Sequence, residues 1–297
     1  MHARIHRSAA RCCVSALAVL MLSCTACGED ETVPDVTYRE FPNVHVLGSV
    51  RTPRDASVMV LVPGGEFLMG TSDADVEAYA EILPLQKAAR YDNERPQRAV
   101  HVDPFWIDQT EVTNSQYARF LEETDYVPEH YLSARLWTDP DMPALVLVWE
   151  DAAVYAQWAG KRLPTEAEWE KAARGTDGRF WPWGSVWDST VLSGNDGTGL
   201  EDGYVEFAPV GQFPQSASVY GALDMAGNAW EWVSDRYDPA YYTYGPAVNP
   251  QGPGTGDGHV LKGGGWAENK AFTRAASRVG GNPGSLLIGF RCAMDAE

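Results

Sequence analysis

Thiols are nearly missing from this chain. Five cysteines occur in 297 residues, and Cys12, Cys13, Cys24 and Cys27 all fall at the N-terminus, so only Cys292 is left for the rest. A disulfide framework inside the folded part is therefore excluded, and so is a site that needs a pair of thiolates. Cys292 stands in GFRCAMD behind an apolar and aromatic run, the setting of a small buried hydrophobe and not of a reactive thiol. Basic residues are also scarce: 23 against 41 acids leave a formal charge of -18. With no basic stripe, the chain lacks the clustered Lys and Arg that phosphate binding requires, and no nucleic-acid partner is expected. The acid surplus suits a solvated surface or a cation-binding one. The apolar run from Cys12 to Leu22 falls short of the roughly 20 residues needed to span a bilayer, and no later segment offers them. No repeat of solenoid length is present.

What does occupy the N-terminus is a leader. Arg4, Arg7 and Arg11 precede the apolar run, the layout of a secretory signal over residues 1–23 or 1–26. The run ends in MLSCTACGED, which resembles a bacterial lipoprotein signal with Cys24 or Cys27 as the lipidated residue. The expected location is the cell envelope, with the exported chain held at a membrane through the lipid. Residues 24–56 mix acids, prolines and short apolar pieces without a sustained period and read as a tether. Residues 57–297 read as one domain.

Helix signals in that domain are local. In VTNSQYARFLEET, Thr113 and Gln116 make a capping box, and Tyr117, Phe120 and Leu121 share a face. In RLPTEAEWEKAARG, Thr165 and Glu168 make a second box and Gly175 closes the helix. WEDAAVYAQWAG predicts a helix ending at Gly160, and MVLVPGGEFLMG predicts two strands about a Gly64-Gly65 turn. The remainder is short strands and long loops. With 28 Gly, 19 Pro and 11 Trp, the composition predicts an α+β domain low in regular secondary structure, its loops held down by aromatic anchors.

The blocks MVLVPGGEFLMG, NERPQRAVHVDPFWIDQTEVTNSQYARFL, PALVLVWEDAAVYAQWAGKRLPTEAEWEKAARG, FWPWG, FAPVGQFP, YGALDMAGNAWEWVSD, LKGGGWAENKAFTRAASR and IGFRCA follow one another in an order and spacing that resembles the formylglycine-generating-enzyme, or sulfatase-modifying-factor, family. The resemblance implies a C-type-lectin-related fold and two structural calcium sites. One would use Asp224 and Glu231 carboxylates with the carbonyls of Gly227 and Ala229; the other would use Asn195 and Asp202 side chains with the carbonyls of Asp196 and Tyr204. Calcium takes about six to eight hard oxygens, which carboxylates and turn carbonyls supply. In the family's oxidases two cysteines near a GGS-aromatic-x-Cys stretch hold Cu(I). Here Gly265 stands at the Ser, Glu268 at the first Cys and Lys270 near the second. Carboxylate and ammonium are not ligands for Cu(I), so copper is not expected.

The same resemblance makes Arg274, Arg278 and Arg291 orienting residues that grip loops and carboxylates. It gives the thiol-free members of the family a precedent as scaffolds in bacterial envelope assemblies. The expectation is accordingly an envelope lipoprotein with a binding or scaffold domain, whose partner is an envelope protein, an extended peptide or a glycan. Trp230 and Trp266 are the candidate floor of the partner groove. The alternative is retained oxidase chemistry: formylglycine generation for sulfatase maturation or another oxidation.

Overall fold

The computed structural model describes residues 47–83, 88–128, 139–146, 148–194, 202–280 and 288–296. The leader, both candidate lipidation cysteines and most of the tether lie outside this set.

Helices form where the chain caps its own backbone. Helices α1 (Asp73–Ile82), α2 (Asn114–Thr124) and α4 (Glu166–Arg174) each start with a complete capping box, from Ser72 and Asp75, Thr113 and Gln116, and Thr165 and Glu168. Helix α3 (Trp149–Trp158) has no side-chain cap and ends before Gly160, whose φ is +75°. The box of α1 uses Asp at its fourth position, where the usual signature has Glu or Gln, and the sequence pattern does not mark it.

Strands are short and form three sheets. Strands β1 (Ser49–Arg51), β2 (Val58–Val62), β5 (Phe105–Asp108) and β10 (Ala293–Asp295) make an antiparallel sheet in that order, with Val60 opposite Ile107 and Ala293 on its other side. Strands β3 (Gly65–Met69) and β4 (Arg98–Val102) pair by themselves, Phe67 against Val100. The third sheet has the order β8 (Val279–Gly280), β7 (His259–Lys262), β6 (Trp230–Arg236), β9 (Ile288–Phe290), and only its β6 and β9 run parallel. The two segments about Gly64 and Gly65 are indeed strands, yet they enter different sheets and do not pair as a hairpin. Pairing was decided by distant partners, β5 for one and β4 for the other.

The domain also begins upstream of residue 57. In the stretch read as tether, β1 pairs with β2, and Asp55 is buried against the Lys161 ammonium at 2.8 Å. Lys161 also holds Asp108 at 2.7 Å, so one buried cation ties the start of the domain to β5.

Helix α4 departs from an ordinary amphipathic helix because all nine of its residues are buried. Its charges survive burial by pairing. Glu166 receives the Arg278 guanidinium, Glu170 receives Lys262 and Arg174, and the Lys171 ammonium donates to the carbonyls of Pro63 and Gly65. Further along the chain, Arg274 makes two 2.7 Å bonds to Glu94, with its guanidinium over the adjacent rings of Tyr79 and Tyr91. Arg274→Leu is expected to cost about 3–5 kcal/mol in urea denaturation, because Glu94 is left as a buried, uncompensated charge. Adding Glu94→Gln should return a large part of that loss.

Asp235 supplies a pH signature. At the end of β6 it accepts from the Glu166 N–H at 2.8 Å and from the Ser234 hydroxyl. Burial, followed by repulsion from Glu166, pushes its carboxyl up to about 7. The native state thus keeps a proton between pH ~4 and ~7 that the unfolded chain releases, and this contribution to stability is lost as pH rises through that window. Asp235→Asn should match the wild type near pH 4 and exceed it by a few kcal/mol above pH 7, one pKa unit being about 1.4 kcal/mol. A constant difference across the range would show that the proton sits elsewhere.

Candidate functional site

The loop from Asp224 to Ala229 turns sharply enough to place three residues in left-handed backbone: Asp224 at φ +56°, Gly227 at +82° and Asn228 at +60°. At Gly227 a side chain is sterically forbidden, since a Cβ would lie 2.1 Å from the Ser193 carbonyl oxygen. Asn228 fastens the loop. Its N–H donates to Ser193, its side-chain oxygen accepts from Ala208 at 3.0 Å, and its amide donates to Glu111 at 3.0 Å.

Beneath this loop lies a buried carboxylate cluster. Glu231, on central strand β6, is held by an Arg291 fork with two 2.7 Å bonds, and the Trp169 indole N–H adds a third at 2.8 Å. Asp224 accepts from the Gly211 N–H at 2.6 Å. Glu111, from the segment between β5 and α2, faces both. Burial comes first and repulsion from Asp224 and Glu231 second in pushing the Glu111 carboxyl well above the usual range. Burial likewise raises Asp224 to about 6. Three carboxylates share one guanidinium, and a side-chain hydrogen bond from Glu111 works against the burial that raises Asp224.

The hard carboxylate oxygens of this cluster are of the donor type that a calcium ion takes. Among the described residues no group of three or more Asp, Glu, His or Cys side chains could hold a metal ion, so the loop offers at most two such side chains to one ion. Of the second loop, Asn195 and Asp196 lie outside the described residues. Asp202 turns back on its own backbone, accepting from the N–H groups of Tyr204 and Gly194.

With this geometry in view, the comparisons with known proteins are decisive about ancestry. The Sulfatase-modifying factor enzyme 1-like domain matches residues 48–296. The chain belongs to this family. It is 34% identical to the formylglycine-generating enzyme of Streptomyces coelicolor, with 84% of this chain and 93% of the relative covered. It is 32% identical to the inactive C-alpha-formylglycine-generating enzyme 2 of Mus musculus, with 84% and 88% covered. The solved structure of PvdO from Pseudomonas aeruginosa superposes with a TM-score of 0.68 at 27% identity, covering 87% of this chain and all of that one. The fold is the C-type-lectin-related one, mixed α and β with short sheets.

The segment in which the sequence resemblance places the oxidase cysteines lies between β7 and β8. Gly265 is buried and its carbonyl accepts from the Glu268 N–H, while Glu268 and Lys270 are half-buried. No ion pair joins them among the described residues; the Lys270 ammonium lies 6.0 Å over the Trp187 ring instead. Cys292 is fully buried, its N–H donates to Asp108, and burial pushes its thiol well up.

The two groove tryptophans part company. Trp230 is 5% exposed, because β6 is a central strand flanked by β7 and β9, and it packs edge-on against Phe272 in the core. Trp266 is half-buried against Phe207 and Leu145, with its indole N–H unpartnered. Only Trp266 remains available to a ligand.

Sequence reasoning missed Glu111. It stands in QTEVTN immediately before the α2 cap, where periodicity and capping explain every neighbour and nothing singles out a carboxylate. Gly227→Ala is expected to lower stability by about 2 kcal/mol or more, from left-handed strain and the clash with Ser193, measurable as a lower melting temperature.

Proposed function

We propose that this chain is an envelope lipoprotein whose sulfatase-modifying-factor domain works as a binding or scaffold module and not as the family's copper oxidase. The observation that carries this reading is the sulfur inventory: between residues 48 and 296 the sole cysteine is Cys292, which is fully buried, its N–H donating to the Asp108 carboxylate and its carbonyl accepting from the Asp108 N–H. Glu268 and Lys270 occupy the segment where two thiolates would grip Cu(I), and neither side chain is a soft donor. The relative in Mus musculus whose name calls it inactive shows that the scaffold persists without the activity.

Membrane attachment, in this reading, comes from a lipid on Cys24 or Cys27. Among the described residues no helix is long and apolar enough to cross a bilayer. Calcium serves as a structural ion at the Asp224–Glu231 loop, held by Asp224, Glu231 and the carbonyls of Gly227 and Ala229. The partner is a peptide, a glycan or another envelope protein meeting the face around Trp266.

Cu(I) titration against a competing chelator, together with mass spectrometry of a sulfatase-motif peptide incubated in air, tests the proposal. The expected result is no stoichiometric copper uptake and an unchanged peptide cysteine. Uptake of one Cu(I) per chain with loss of the peptide thiol would restore the oxidase reading.

A further inference from the structure

We propose that the loop 180–187 is a docking surface for a zwitterionic phospholipid bilayer, which lays the domain down on the membrane that anchors it. The inference rests on the lipid-anchor reading above and adds to it a second, reversible membrane contact.

The loop presents indoles without charge. Its eight residues, FWPWGSVW, hold three of the chain's 11 tryptophans and no ionisable side chain, in a chain of 41 acidic and 23 basic residues. Its inner end is fixed. Trp181 is fully buried, its indole N–H donates to the Thr273 hydroxyl at 3.3 Å, and its backbone exchanges two hydrogen bonds with Gly184. The Phe180 carbonyl accepts from the Ala275 N–H at 2.8 Å. Around Trp181, Trp183 stacks at 6.1 Å and Trp187 packs edge-on at 5.1 Å, both half-buried. The Trp183 indole N–H donates to the Val186 carbonyl and closes the tip, where Ser185 is exposed and Val186 is 82% exposed. A rigid tip thus offers an aliphatic side chain beside two indoles, the side-chain type that settles at the boundary between headgroups and acyl chains.

The position of the loop agrees with the anchor. Leu47, 58% exposed, is where the chain that leads from the candidate lipid enters the described domain, and it lines a cleft with Asp177, Arg179 and Tyr220. Arg179 in turn donates to the Pro182 carbonyl at 3.0 Å, so the anchored chain joins the domain beside the base of the loop. Between Cys27 and Leu47 lie 19 residues, and between Cys24 and Leu47 lie 22. Fully extended, such a length reaches about 70–80 Å at most. Held that close, the loop needs only a weak contact to stay down, because the anchor makes its binding intramolecular. Charge selects the surface. A formal charge of -18 repels an anionic leaflet, whereas an uncharged tip gives up no ion's hydration on entering a zwitterionic headgroup layer. The Lys270 ammonium, 6.0 Å over the Trp187 ring, adds a partner for a headgroup phosphate.

Contact quenching reads the depth of the loop. The full-length protein, purified from membranes, would be reconstituted into phosphatidylcholine vesicles whose acyl chains are brominated close to the glycerol. Wild-type tryptophan emission should fall by up to about a fifth, the share of Trp183 and Trp187 among 11 tryptophans. Val186→Asp puts a charge at the tip, and Ser185→Asp does the same while still able to accept from the Phe180 N–H. Both variants should melt at the wild-type temperature, stay with the vesicles through the lipid and lose most of the quench. Replacing half of the phosphatidylcholine by phosphatidylglycerol should weaken the wild-type quench. No quench in the wild type, an equal quench in both Asp variants, or a stronger one on anionic vesicles would overturn loop docking while leaving the anchor intact. A chain whose intact mass shows no lipid and which does not float with the vesicles would overturn the anchor reading, and this inference with it.

Discussion

Buried guanidinium forks hold this domain together. Among the described residues Arg174, Arg274, Arg278 and Arg291 are almost wholly removed from solvent, and each meets a carboxylate: Glu170, Glu94, Glu166 and Glu231. A buried ion without its partner is strongly destabilising, so each fork demands that its two chain segments arrive together. Three of the four join segments that lie 180, 112 and 60 residues apart. In a fold whose longest strand has seven residues, long-range connections of this kind do much of the work that sheet ladders do elsewhere. The aromatic side chains complete the arrangement: Arg274 lies over Tyr79 and Tyr91, and Arg278 lies over Tyr237 and Tyr242.

Against that background the loop cluster is the place where charges do not balance. The Arg174, Arg274 and Arg278 pairs sit in networks where cations match carboxylates, with Lys262 adding a further ammonium beside Glu170. At the loop, Arg291 answers one carboxylate and two others remain. An imbalance in a dry interior has to be relieved by protons or by a bound cation.

In the function proposed above, family membership and activity separate at a different point, the segment between β7 and β8. The scaffold is that of a formylglycine-generating enzyme over nearly the whole domain. The proposed loss of oxidase chemistry depends on a few atoms: in that reading Glu268 and Lys270 offer oxygen and nitrogen where soft sulfur donors would be needed. A shared fold does not by itself carry a metal's ligands with it.

Legibility followed the range of the forces involved. Helix caps at Thr113 and Thr165 were readable because both partners lie within one turn of chain, and the stop at Gly175 needs only its own left-handed backbone at φ +66°. The scarcity of cysteine, and with it the exclusion of disulfides and thiolate pairs, follows from counting. The order of the motif blocks was enough to predict the fold class. Partner choice over long distances was not readable. That β2 and β3 enter different sheets, that residues 49–55 belong to the domain, that Trp230 is core while Trp266 keeps an open edge, and that Glu111 meets Asp224, all depend on which surfaces bury each other. Burial is a property of the assembled chain, and a carboxylate 113 positions before its neighbour carries no local mark of the charge it will have to share.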